Sequence, residues 1–282
     1  MWVPSIGLSI KKLLEFKTLI MKKNYKYLEN SKTLNARINY NKTYGNFNLY
    51  KWIDKKFKIN SGQNVLDLGC GDGRYTKLFL NKILPNGHLI SVDKNFELVS
   101  NLKKKFSIYK KNIKIINKDY DKVSWNFKNK LDWFISIYSI QYTKNFNKLL
   151  KNISKIMKSD SKILIIGPGK GNALDINKIH KQVFDARFPS LYKERMQFIE
   201  KVVYPKLKEN YKKITLQKHN YTINFPDYVS YANYYWSTPL WTDELTRMNQ
   251  LDIKNKKKKT IFVIKQNKFR VLKKQTVSIF CR

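Results

Sequence analysis

Cysteine is nearly absent: Cys70 and Cys281 are the only two among 282 residues, too few for a disulfide framework. The three histidines stand apart from them, so no Cys/His pairs occur at the spacing of a zinc site and no metal is expected. No uninterrupted run of about eighteen apolar residues occurs, so no spanning helix is expected. Residues 1–23 hold an amphipathic stretch with Leu13, Leu14, Phe16, Leu19 and Ile20, followed by Met21. They lack the long apolar run and small-residue cleavage site of a secretory signal. The stretch reads as a packing helix or an upstream extension before Met21, with a membrane-surface or targeting segment as the other reading. With so few thiols, the default setting is reducing and cytoplasmic.

Acid is scarce too. Twenty Asp and Glu face 57 Lys and Arg, for a formal charge of +37. Such a balance suggests a polyanion partner. Only seven of the basic residues are arginine, however, and base reading leans on the bidentate guanidinium fork. The lysines are spread over nearly every segment of a chain crowded with asparagine and isoleucine, as AT-rich codon usage produces. Most of the charge therefore reads as solvated lysine faces, with an RNA-binding surface as the alternative. The run Lys256 to Lys259 reads as a loop before a late strand.

Glycine is sparse, yet three of the ten glycines fall within five positions, in Val65-Leu66-Asp67-Leu68-Gly69-Cys70-Gly71-Asp72-Gly73-Arg74-Tyr75. A buried β-run ends here in an acid, a tight turn and a helix, the arrangement that lets a backbone approach a nucleotide-bearing cofactor. A dinucleotide fingerprint, G-x-G-x-x-G, would need glycine where Arg74 stands. Asp67 and Asp72 would also repel a pyrophosphate, whereas a ligand bearing a sulfonium and an ammonium tolerates them. S-adenosylmethionine is thus favoured over NAD.

This segment resembles the first motif of class I S-adenosylmethionine-dependent methyltransferases, closest to the broad type 11 and type 25 groups. The resemblance assigns the cofactor to Asp67, Gly69, Cys70, Gly71 and Gly73. It extends down the chain in the expected order. Leu89 to Val92 reads as a second strand ending at Asp93, beside Lys94, where the family's carboxylate takes the ribose hydroxyls. A third strand over 113–117 precedes Asp119 and Tyr120, the place of the adenine contact. A fourth, 131–138, leads to Ser139-Ile140-Gln141-Tyr142 beside the methyl donor. Tyr138 belongs to the same cofactor set, and Tyr44 sits in a helical stretch that packs over the cofactor in related enzymes.

Between these strands apolar residues recur at helical spacing, as at Tyr75, Leu78, Phe79 and Ile83. The alternation implies an α/β fold, a doubly wound, mostly parallel, seven-stranded Rossmann-like sheet. Its expected divisions are an N-terminal extension (1–33), the cofactor-binding core (34–172), a helical cap inserted after strand five (173–212) and the late strands (213–282). Strands are expected over 214–223 and 260–264, with an aromatic lid (224–241) before the last of them. Tyr231, Tyr235, Trp236 and Trp241 are the lid's candidate substrate wall, although the same rings could simply close a buried helix or stack unpaired bases.

Methyl transfer is an in-line displacement in which positioning supplies much of the rate, so no catalytic triad is required. Should the acceptor need a base, His180, His219 in a late strand, Tyr138 and Tyr142 are the candidates, with His180 first because its segment is expected to roof the pocket. The expected function is methylation of a small-molecule acceptor at O, N or C. The alternatives are an RNA methyltransferase, for which no N-P-P-Y signature follows strand four, and a non-catalytic cofactor-binding or scaffolding protein.

Overall fold

The computed structural model describes residues 30–127, 129–186 and 189–282, so the amphipathic stretch at 1–23 lies outside the described residues. Two helices lead in, α1 (Ser31–Tyr44) and α2 (Leu49–Lys56). The core then alternates strand and helix: β1 (Asn64–Leu68), α3 (Arg74–Ile83), β2 (His88–Asp93), α4 (Phe96–Lys105), β3 (Ile113–Asn117), β4 (Leu131–Ile137), α5 (Phe146–Ser154) and β5 (Met157–Pro168). The remainder is α6 (Leu174–Phe184), α7 (Ser190–Phe198), a π-helical turn over Ile199–Val203, α8 (Tyr204–Lys208), β6 (Ile214–Asn224), α9 (Tyr228–Trp236), α10 (Pro239–Leu245), α11 (Gln250–Gln266) and β7 (Val271–Cys281).

The seven strands form one sheet in the order β3-β2-β1-β4-β5-β7-β6. Pairing is parallel from β3 to β5, while β7 runs antiparallel between β5 and β6. Both faces are covered, which is why β1 is apolar almost throughout. Leu66 and Leu68 join one layer with Phe134, Ile163 and the α5 residues Leu149 and Ile153. Val65 joins the other, with Phe79, Leu80, Trp133 and Ile135. Asparagine, read as compositional background, has structural work: Asn30, Asn48, Asn95, Asn145 and Asn249 each accept a backbone N–H at the start of α1, α2, α4, α5 and α11. Each such cap is worth about 1 kcal/mol over alanine.

Four expectations are corrected here. The stretch 260–264 is not a strand but the end of α11, and Lys256 to Lys259 lie on that helix rather than in a loop. Thr260, Val263 and Ile264 are buried while Phe262 is 64% exposed, a helical spacing that no strand produces. The last strand is β7, over 271–281.

The expected cap over 173–212 falls in two places. α6 packs with α9, α10 and α11, whereas Ile199, Val203 and Leu207 are fully buried in the sheet's own core with Ile163, Ile165 and Ile279. The second helical stretch thus covers a sheet face instead of roofing a pocket. Its π-helical turn ends two residues before Pro205, which cannot donate to the carbonyl four residues back.

The aromatic segment likewise differs from an open wall. Tyr231, Tyr235 and Trp241 are 0%, 0% and 1% exposed and form the centre of a separate cluster, with Trp236 packed against it. Among the described residues no helix is long and apolar enough to cross a membrane.

Candidate active site

The glycine loop is held at the carboxyl edge of the sheet by backbone bonds to the neighbouring strand: Gly69 N and Cys70 N both donate to Val92 O, at 2.7 and 3.1 Å. At Gly69 the backbone is left-handed (φ +74), and a Cβ there would lie 1.8 Å from Ser139 Oγ. Close approach of the β4 end, not only the turn, requires glycine at this position. Gly71 has open space, its nearest neighbour being Leu34 of α1 at 4.0 Å from where a Cβ would begin. Gly73 forms the N-cap of α3 with φ +76.

Two carboxylates flank the loop. Asp93 Oδ2 accepts from Gly71 N at 3.0 Å and Oδ1 from Asn95 N at 2.8 Å. Each oxygen keeps lone-pair capacity for hydroxyl donors. Burial raises its pKa, opposed by those amides and by Lys94, whose side chain is exposed. Asp67 is 2% exposed and accepts from Thr76 Oγ1 at 2.7 Å. Burial pushes it up to about 7, with Thr76 opposing and Asp93 and Asp72 adding. Asp72 itself pairs with Arg74 at 2.8 Å, so the residue that breaks the dinucleotide spacing neutralises one loop acid. No cation among the described residues pairs with Asp67 or Asp93 at salt-bridge distance. The acids therefore fit a ligand with positive charge, as the amino-acid and sulfonium end of S-adenosylmethionine has.

Residues 59–252 match a sequence family described as a methyltransferase domain. The chain belongs to that family. No curated protein matches its sequence. Among solved structures it is similar to the YcgJ protein of Bacillus subtilis (12% identity, 82% of this chain and 95% of that one, TM-score 0.54). It is also similar to a SAM-dependent methyltransferase from Thiobacillus denitrificans solved with S-adenosyl-L-homocysteine (13% identity, 90% and 100% covered, TM-score 0.51). A third, from Geobacter sulfurreducens with the same ligand, shows 11% identity, the same coverage and a TM-score of 0.51. At such identities the likeness establishes the fold, a Rossmann-like methyltransferase sheet.

Within this methyltransferase fold the other predicted residues take varied places. Asp119 opens a short turn by accepting from Asp121 N and lines a cavity of about 270 Å³ with Tyr120, Trp125 and Leu149. The Tyr120 ring is buried, and its hydroxyl donates to Ser139 O at 2.9 Å, bracing the β4 end. Cys70 is buried, and burial raises its thiol pKa well above the ordinary value, so it is not a thiolate. Tyr44, half-buried, ends α1 beside Tyr40, their rings 6.0 Å apart.

Tyr138 is left-handed (φ +55), a strained conformation for a bulky residue. It turns the ring toward β7, where the hydroxyl bonds Thr276. Tyr142 stacks under the Arg195 guanidinium at 4.7 Å.

His180 is a correction. It has no accessible surface, bonds Tyr235 Oη through Nδ1 at 2.8 Å, and burial lowers its pKa to about 4. A sealed imidazole of that kind packs the α6–α9 cluster and cannot reach an acceptor. The lid residues are corrected on the same ground, since Tyr231, Tyr235 and Trp241 are interior.

What sequence reasoning missed is a polar group on β6 and β7. Lys274 faces Tyr221 across the pair and Thr276 faces His219, with Tyr234 Oη 3.2 Å from Lys274 Nζ. The signal was alternation along 271–281, in which Lys274, Thr276 and Ser278 share one face.

Proposed function

We propose that this methyltransferase-family protein uses S-adenosylmethionine to methylate a small-molecule acceptor. The observation that carries the reading is the pairing of acid-rich loop and approached edge: among the described residues no cation pairs with Asp67 or Asp93 at salt-bridge distance, and α1 comes up to the loop. Leu34 of that helix comes within 4.0 Å of the Cβ position of Gly71, Ser31 bonds Glu97 of α4, and Arg37 donates to Ser237 O at the end of α9. An edge approached in this way favours an acceptor small enough to be enclosed over a duplex or folded RNA.

S-adenosylmethionine supplies a methyl group already activated on sulfur. The chain's own residues have the positioning work: Asp93 to take ribose hydroxyls, Asp119 to meet the adenine side, Asp67 to balance positive charge. Tyr138, at the end of β4, whose hydroxyl bonds Thr276, is the candidate to face the acceptor. With His180 sealed, a base is not assigned, and orientation supplies the rate.

The test is transfer of labelled methyl from S-adenosylmethionine into a cell extract, separated into small-molecule, protein and RNA fractions. Label in small molecules supports the reading. Label in RNA would show that the lysines serve a polyanion, and no transfer with intact cofactor binding would favour a scaffold.

A further inference from the structure

We propose that the acceptor carries an oxyanion, a carboxylate or a phosphate, held by the ammonium of Lys274 beside the hydroxyl of Tyr234. The inference deepens the small-molecule reading and rests on it.

Lys274 is half-buried on β7. Its Nζ bonds Tyr234 Oη at 3.2 Å and lies 5.7 Å from that ring's centroid. Among the described residues no carboxylate pairs with it. An ammonium has three donors and a full charge, and removing both from water without an anion costs free energy. The cluster keeps it charged nonetheless: burial works against the ammonium, and the Tyr234 and Tyr221 oxygens more than offset that, so its pKa is raised. Arg37 bears on the same point with a second positive charge. Most other described lysines are exposed; this one is set among phenols.

The wall leads to the methyl donor's loop. The Tyr138 hydroxyl, at the end of β4, bonds Thr276, two residues from Lys274 on the same face of β7. Tyr221, opposite Lys274, also reaches Tyr138. Tyr75, in the first turn of α3 beside the glycine loop, has no hydrogen-bond partner for its hydroxyl among the described residues. An oxyanion at Lys274 would therefore anchor one end of an acceptor whose other end points back past Tyr138 toward the loop. Charge-assisted bonds from an ammonium and phenols suit either a carboxylate or a phosphate.

The experiment titrates the full chain, already saturated with S-adenosylhomocysteine, with inorganic phosphate and separately with acetate, read by calorimetry. The expected result is saturable binding of one probe at a single site. Lys274→Met should weaken it by about tenfold or more, Lys274→Arg should retain most of it, and Lys258→Met, on the exposed face of α11, should change nothing. Preference for phosphate identifies a phosphate monoester acceptor, and preference for acetate a carboxylic acid. Equal affinity in wild type and Lys274→Met, or no saturable binding of either probe, overturns the proposal. Should Lys274→Met lose S-adenosylhomocysteine binding, Tyr234→Phe decides, and unchanged oxyanion affinity in that variant overturns it. Failure of the wild type to bind S-adenosylhomocysteine at the outset would instead sink the underlying methyltransferase reading.

Discussion

Asp93 Oδ2 and the backbone amide of Gly71 are joined by a 3.0 Å hydrogen bond that ties the end of β2 to the crown of the glycine loop. The carboxylate expected to hold the cofactor also holds the loop that cradles it. Asp93→Ala should therefore cost both ligand affinity and stability, leaving Gly71 N and Asn95 N without their acceptor. We expect affinity for S-adenosylhomocysteine to fall by roughly 10- to 100-fold and stability by about 1–3 kcal/mol. Calorimetry with urea unfolding separates the two, and unchanged affinity would remove Asp93 from the site.

Gly69→Ala should fail through Ser139. The added methyl would lie 1.8 Å from Ser139 Oγ and 2.2 Å from its Cβ, in a left-handed backbone. A loss of about 3 kcal/mol or more is expected. Ser139→Gly should recover part of it, so a double-mutant cycle must be non-additive. Additive losses would place the strain elsewhere.

Asp67 carries a pH signature. Its pKa in the fold is about 7 against 3.8 for the ordinary side chain. Protonation thus favours the native state, and the cost of ionisation grows from about pH 4 to 7 and is complete above that. Asp67→Asn should stabilise the ligand-free protein by roughly 2–4 kcal/mol at pH 8 and by little at pH 4, while weakening cofactor binding. Thermal unfolding at the two pH values checks it, and equal gains at both would contradict the assignment.

His180 acts in the opposite sense. Its pKa falls from 6.5 to about 4, so its stabilisation is complete above pH 6.5 and lost as pH falls through 4. With Nδ1 at Tyr235, Nε2 lies 3.7 Å from Glu244 Oε1, too far to replace water for a charged ring. Wild type should lose up to roughly 3 kcal/mol more than His180→Gln between pH 7 and 4. Parallel urea midpoints would show otherwise.

The lysine run separates by helix face. Lys256 donates to Val183 O at 3.0 Å and its Nζ lies 5.2 Å from the Phe184 ring centroid, closing α11 on α6; Lys258 is exposed. Lys256→Ala should cost about 1–2 kcal/mol, and Lys258→Ala nearly nothing. Equal effects in thermal unfolding would mean the run has no structural face.

The parallel half of the fold was legible because its signals are local. A buried run ending in Asp67 and three close glycines specify a strand, a turn and a helix within eleven residues, and Asp93 follows one βαβ unit later. Beyond β5 the evidence becomes tertiary. Thr260 to Ile264 is β-branched and apolar, and reads as a strand until one sees that positions 260, 263 and 264 are inside and 262 is outside. The aromatic segment gave no sign of whether its rings met substrate or one another; neighbours contributed by α6 and α11, distant in sequence, decided that. Lys274 was one lysine among dozens, and only its pairing with Tyr221 across an antiparallel register sets it apart.

The position of β7 governs when this protein can finish folding. Among the described residues β6 pairs with no strand except β7, so during synthesis residues 214–224 lack their strand partner until residues 271–281 emerge and slot in beside β5. The cofactor loop and its parallel strands can assemble well before that moment. The Lys274 wall cannot, because Lys274 and its partner Tyr221 come together only once β7 has paired with β6.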